Sequence, residues 1–333
     1  MAEPLTLAAI QAAIAKYGPI LQIHPDEKYN LCSVEWFLTH CTLIDSKTPS
    51  NNVVHPLETQ LPHGPKDGTR YYLNIEDSVK PGNFPTAKAY VNAFWTPGMT
   101  YTDLQFWFFS AFNGPGTALF SSLLNSKPLH SGTIDLSPLG THVGDWEYVA
   151  LRISNSDSSL LGLMLSAHGK NIFYDAAAVK AQFEIRNGHP VIYSSLNGHA
   201  NFPSPGPNYT EHRRILGTPA GLDFNLLNST AAGGLSLACA EKYEVVNAPW
   251  LKEVVSPAWV AYPYRWGPEG TAIHMDAKTL GLFIKAALGE QGKGGVWDTL
   301  GVLAAGELLA IFVKADINGA GAPSGQGPWS GHY

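Results

Sequence analysis

"THVGDWEYVALRI", residues 141–153, sets a His, an Asp and a Glu against the start of an apolar run. Tyr148 to Ile153 is β-branched and aromatic-rich, which reads as a strand, and strand side chains alternate between two faces. Asp145, Glu147, Val149, Leu151 and Ile153 therefore share one face, and Trp146, Tyr148, Ala150 and Arg152 share the other. The first is the apolar face, so it points two carboxylates, roughly 6–7 Å apart by strand rise, toward the core. Burying them unpaired costs several kcal/mol and calls for a positive partner. Arg152 is on the wrong face. His142 lies just upstream, and Gly144 lets the backbone bend so that His142 turns back toward the acids. A His-x-x-Asp-x-Glu set suits a divalent cation, Ca²⁺ or Mg²⁺ by its oxygens and Mn²⁺ or Zn²⁺ by its imidazole. The other reading is an Asp capping a turn and a solvated Glu at the head of the strand. The spacing alone does not choose between them.

The rest of the chain surrounds this strand with others like it. "YYLNI", "AKAYVNAFW", "TDLQFWFFSAF", "LLGLMLSAH" and "HPVIYSSL" are short, aromatic and β-branched, and Gly, Pro, Asn and Ser separate them. The fold class expected is mainly β, an antiparallel β-sandwich with long Gly/Pro-rich loops and a few peripheral helices, since a parallel sheet needs intervening helices. Leu7, Ile10, Ile14 and Tyr17 stand at helical spacing and predict a short amphipathic helix ended by Pro19. Further helices are expected in "DAKTLGLFIKAALGEQG" and "DTLGVLAAGELLAIFV", followed by a Gly/Pro-rich closing tail, all within one domain over 1–333. At 333 residues, with a net charge of −6 and no Lys/Arg cluster beyond Arg213–Arg214, the chain carries no electrostatic footprint for nucleic acid. No stretch reaches membrane-spanning length and the N-terminus lacks a signal-peptide pattern, so the expected location is cytoplasmic. Three cysteines without a CxxC pair argue against a disulfide framework.

Other residues are candidates to complete a site. Asp103 shares a strand face with Gln105, Trp107 and Phe109, and is either an acid at the edge of a core face or a strand-end Asp satisfied by backbone donors. His168 ends an apolar run before Gly169, and His199 sits in the turn-rich "NGHANFPSPG". Both are candidate acid/base groups, with a hydrogen-bonded surface His as the plainer reading. Trp107, Phe109 and the turn residue Asn113 are candidates for an apolar ligand pocket, although such aromatics are more often core. No G-x-S-x-G, P-loop, H-E-x-x-H or dinucleotide fingerprint is present. Ser194 and Ser195 near His199 do not by themselves make a triad.

Along nearly its whole length the chain resembles the eukaryotic family named after vacuolar protein sorting-associated protein 62. The resemblance rests on "YGPILQIHPDEKYNLCSVEWFL", "YTDLQFWFFSAFNGPG", "HVGDWEYVALRISN", "LSAHG", "PVIYSSLNGHANFPSPG" and "AYPYRWGPEG". That family has no generally established activity, so the resemblance implies relatives without a reaction. Separately, "HVGDWE" is similar to the G-H-R-H-D-W-E heptapeptide of the necrosis- and ethylene-inducing peptide-like toxins. These are β-sandwich proteins that hold a divalent cation and bind sphingolipid headgroups. On that motif His142, Asp145 and Glu147 fall on cation-binding positions, while Gly144 replaces the second His.

Three functions compete, of which the first is the reading the sequence favours and the other two are its alternatives. The first is an enzyme that cyclises or hydrolyses a small, largely apolar specialised metabolite in an aromatic-lined pocket of roughly 300–1,000 Å³, with the cation as Lewis acid and His199 or His168 moving protons. The second is a non-enzymatic module that binds a sugar or lipid headgroup through the cation. The third is a trafficking protein whose cation is structural. Oligomeric state is not legible.

Overall fold

The longest aromatic and β-branched runs become the two longest strands, Tyr101–Asn113 and His142–Ser154. They pair antiparallel, from Tyr101 opposite Ser154 to Asn113 opposite His142. The computed structural model describes residues 3–64, 70–124, 127–137, 140–167, 170–215, 220–268 and 319–333. Around the long pair a six-stranded sheet runs in the order Lys170–Asp175, Leu160–Ala167, His142–Ser154, Tyr101–Asn113, Ala89–Phe94, Tyr243–Asn247. Every pairing in it is antiparallel except the last.

Both faces of this sheet are covered, which is why its central strands lack the polar alternation of a half-solvated sheet. On one face Leu104, Phe106 and Phe108 join Val149, Leu151 and Ile153 in a first core. A second sheet lies over it, in which Ile20–Gln22 is flanked by His189–Ser194 on one side and Ser236–Ala238 on the other. These strands contribute Leu21, Ile192 and Leu237, so this half of the fold is the sheet-on-sheet sandwich expected. The Leu7–Tyr17 helix adds Ile10, Ala13 and Ile14 to the same core. Thr6 caps its first turn by accepting from the Ala9 amide, and the helix stops at Gly18, before Pro19.

The opposite face is rich in aromatic rings, which make up half of the buried residues of its core. Trp107 stacks on Tyr148 at 4.7 Å between centroids, and Phe109 meets Trp146 at 4.7 Å. Trp259, Tyr262 and Trp266 close the second core from above, with Phe37 and the Cys41–Asp45 and Tyr71–Ile75 strands at its side. Each fully buried Phe contributes roughly 1.5–3 kcal/mol over leaving it exposed. The tail crosses the same face: Gln105 Nε2 donates to the Pro328 carbonyl and Asn92 Nδ2 to the Trp329 carbonyl, so two buried amides read the tail backbone.

Two hairpins, Thr117–Leu124 with Lys127–Asp135 and Gly206–Ile215 with Ala220–Thr230, make a further four-stranded antiparallel sheet. The helices expected in "DAKTLGLFIKAALGEQG" and "DTLGVLAAGELLAIFV" lie outside the described residues.

Candidate functional site

The acidic end of the His142–Ser154 strand is bent at Gly144, whose φ of +67° is the left-handed conformation that glycine adopts without strain. Any Cβ there would also stand 2.5 Å from the Trp266 carbonyl oxygen. Past the bend, His142 folds back and its Nδ1 donates to the Gly144 carbonyl at 2.8 Å. Asp145 is buried and faces inward, opposite Ser110 on the neighbouring strand, while Glu147 lies opposite Phe108.

The positive partner that Asp145 requires comes from the loop after His189–Ser194. His199, 3% exposed, donates from Nδ1 to Asp145 Oδ2 at 2.9 Å and from Nε2 to the Tyr29 carbonyl at 2.9 Å. A carboxylate and a carbonyl can only accept, so both ring nitrogens must carry protons and the ring is an imidazolium. Glu27 Oε2 stands 3.7 Å from Nε2 and adds a second negative charge. Burial works against the charge on His199, yet the Asp145 hydrogen bond and the charges of Glu27 and Asp145 outweigh it and lift the ring's pKa above its ordinary value. Burial likewise pushes the Asp145 carboxyl up, and the His199 hydrogen bond with the charges of His142 and His199 hold it below the usual carboxylate value.

Glu147 has no such relief. It is half-buried and makes no hydrogen bond to any described residue, and burial together with the Asp145 charge pushes its carboxyl well above the ordinary value. A shallow, tight recess lies at this point, with no enclosed space of water size and about 190 Å³ of empty space only when the part open to solvent is counted. Leu21, Leu31 and Phe108 supply its apolar wall, and Ser110, Asp145, Glu147, Ser194, His199 and Asn201 its polar one. Asn201 is 2% exposed, and its Oδ1 has no hydrogen-bond partner. Among the described residues no group of three or more His, Cys, Asp or Glu side chains converges closely enough to ligate one metal ion. The oxygens of the recess are thus two carboxylates supplemented by neutral serine and asparagine groups.

The remaining sequence candidates lie elsewhere. Asp103 sits toward the far end of the Tyr101–Asn113 strand from Ser110, 1% exposed, and its carboxylate accepts two bonds from Arg152, at 2.8 and 2.9 Å. Trp107 and Phe109 do not line the recess. Residues directly across a ladder share a face, and these two lie across from Tyr148 and Trp146, on the face opposite Asp145 and Glu147. The aromatic at the recess is instead Phe108. The broad apolar cavity expected beside Trp107 and Phe109 is therefore replaced by packed rings on one face and a narrow polar recess on the other. Asn113 holds the turns beside it, donating to the Gly140 carbonyl at 2.7 Å and the Gly114 carbonyl at 3.1 Å. His168 lies outside the described residues. Glu27 and Asn201 were not singled out from sequence. Glu27 falls in "HPDEKYN", which reads as a turn, and carries no local signal of a role 170 residues downstream.

These features define a mainly antiparallel β-sandwich protein with a buried carboxylate–imidazolium cluster at the bent end of a central strand. Residues 3–286 match the family described as vacuolar protein sorting-associated protein 62, and the chain belongs to it. No curated protein matches it significantly. Among solved structures, it is similar to Necrosis and Ethylene inducing Protein 2 from the causal agent of cocoa's Witches Broom disease, 18% identical, with 61% of this chain and 71% of that chain covered at a TM-score of 0.30. It is also similar to NLPPya, solved in complex with mannosamine, 13% identical, with 78% and 80% of the two chains covered at a TM-score of 0.33. Likeness at these levels speaks to neither ligand nor activity.

Proposed function

We propose that the chain is a cation-assisted binding module for a hydroxyl-rich headgroup, of a sugar or a lipid, and not an enzyme. The observation that carries this reading is Glu147, a carboxylate without a hydrogen-bond partner that shares its recess with the second carboxylate of Asp145 and the unpartnered Oδ1 of Asn201. Once ionised, these carboxylate oxygens only accept, and a hard cation or donors from a ligand would satisfy them and favour that ionised form. The donor set suits Mg²⁺ or Ca²⁺ better than the softer metals. Asp145 and Glu147 would hold the ion and Asn201 would supply a neutral oxygen, while His142, outside the lining of the recess, would not be a ligand. When bound, the ion would neutralise the two acids and offer its outer positions to ligand hydroxyls.

Of the acid/base candidates legible in the sequence, His199 and Asp103 are both committed to partners within the chain. His199 has both ring nitrogens engaged, so neither is free to take a proton from a substrate, and Asp103 is committed to Arg152. The recess is too tight to enclose a metabolite, whose pockets run to roughly 300–1,000 Å³, and leaves room at most for an ion held directly by the side-chain oxygens, with a headgroup meeting it from the open side.

The test is calorimetric titration of EDTA-treated, dialysed protein with Ca²⁺, Mg²⁺ and Mn²⁺, followed by hexoses, myo-inositol and vesicles carrying a glycosylated lipid. We expect saturable uptake of one cation, lost in Glu147→Gln, and cation-dependent binding of a headgroup. Binding to the soluble sugars would identify a free saccharide as the ligand, and binding to vesicles alone a lipid. No uptake at millimolar cation, or uptake indifferent to Glu147→Gln, would overturn the reading.

A further inference from the structure

The loop that delivers His199 has no regular structure of its own to hold it. Asn197 and His199 both take left-handed backbone angles, φ +66° and +53°, which non-glycine residues occupy at a cost. Something must over-determine the turn, and Glu27 is placed to do so. Its side chain is 1% exposed. Oε2 accepts from the Asn197 amide at 2.6 Å and Oε1 from the Tyr29 amide at 2.8 Å, and the Tyr29 carbonyl in turn accepts from His199 Nε2. Asn197 then passes the constraint on, since its carbonyl accepts from the Gly114 amide at 2.9 Å, in the turn that follows the Tyr101–Asn113 strand.

We infer that Glu27 is the positioning residue of this site: it fixes the 195–200 loop so that His199 grips Oδ2 of Asp145 and leaves Oδ1 to the recess. A carboxylate held at one oxygen by a fixed donor has one orientation to offer, and removing such supporting partners lowers metal affinity by roughly 10–100-fold in well-studied sites. Buried carboxylates that accept from backbone amides also stiffen the loops they serve, because the amides have no other acceptor. The effect on the cation rests on the binding role proposed above; the effect on the loop does not.

Glu27→Gln keeps the shape of the side chain and removes its charge. In the full chain at a temperature well below unfolding, we expect the Asn197 amide proton to move upfield and exchange faster with solvent. We also expect Mn²⁺ affinity to fall by roughly 10-fold or more. Val149→Ala, a core change on the same face that also lowers Tm, should leave the Asn197 amide and the Mn²⁺ affinity at wild-type values, which separates positioning from general destabilisation. If Glu27→Gln does not fold, Glu27→Asp, which keeps the charge but withdraws it by one methylene, is read by the same amide signal. An Asn197 amide unchanged in the variant that folds would overturn the inference. Wild-type protein that takes up no Mn²⁺ while the amide still responds to Glu27→Gln would overturn the binding reading and leave Glu27 as the support of the loop.

Discussion

At the scale of single residues, Glu147 is the group whose charge state the fold resists. Its folded pKa stands well above the ordinary 4.5, so the folded chain holds that proton more tightly than the unfolded chain does. The stability this contributes is complete below about pH 4.5 and is lost as pH rises toward the folded value. His199 acts in the same direction, since its raised value gives stability that is full below its ordinary 6.5 and lost as pH rises through the folded pKa. Asp145, with a depressed value, gives stability that is present above its ordinary 3.8 and lost as pH falls through the folded pKa. In EDTA, urea melts from pH 5 upward should therefore show declining stability, with a contribution from Glu147 of up to about 1.4 kcal/mol per pH unit. Glu147→Gln should flatten that decline, and saturating Ca²⁺ or Mg²⁺ should do the same in the wild type by favouring the ionised acid. An unchanged slope in Glu147→Gln would show that Glu147 is ionised in the folded chain without penalty. Gly144 offers a second residue-scale test. Gly144→Ala forces a left-handed angle on a residue with a Cβ and drives that Cβ toward the Trp266 carbonyl, so a loss of at least about 1–2 kcal/mol is expected in the same melts.

At the scale of the element, strand alternation accounts both for what was legible in the sequence and for what was missed. The parity of "GDWEYVALRI" correctly separated Asp145 and Glu147 from Trp146 and Tyr148, because a strand's period of two is a property of the backbone. The same parity for "TDLQFWFF" put Trp107 and Phe109 together, yet which face of that strand meets the acids depends on the register between two strands far apart in sequence. Once Phe108 stands opposite Glu147, the Trp107 face belongs to the other core. Glu27 was illegible for a similar reason, since its partners Asn197 and His199 are brought to it by the fold and not by spacing. Parity also explains Asp103, which shares the Trp107 face with Arg152 across the ladder and is neutralised there. Arg152→Met would leave that carboxylate buried and unpaired, at a cost of about 3 kcal/mol. Arg152→Met with Asp103→Leu should recover much of the loss, measured as a double-mutant cycle. If the single and double variants are equally destabilised, the contribution of Arg152 comes from its stacking on Tyr101 and not from the ion pair.

At the scale of the whole molecule, the two cores share one sheet, and that has a consequence for how the protein opens. Cys239 lies in the first core and Cys32 and Cys41 in the second, all three as buried thiols. Burial raises the pKa of each, that of Cys41 to about 12, so the native protein exposes almost no thiolate to an alkylating reagent. Modification must wait for an opening that reaches the residue. Were the cores independent, the aromatic one would outlast the aliphatic one or the reverse, and the cysteines would react at different denaturant concentrations. The His142–Ser154 and Tyr101–Asn113 strands, however, send alternate side chains into both cores, so neither core can open fully without stripping one face from the strands that carry the other. Site-resolved thiol labelling across a urea series should therefore give Cys32, Cys41 and Cys239 the same midpoint and the same dependence on urea, as expected of one cooperative unit. Earlier labelling of Cys239 would mean that the sandwich half peels from the shared sheet before the aromatic half yields, and would show that the interleaved side chains do not couple the two.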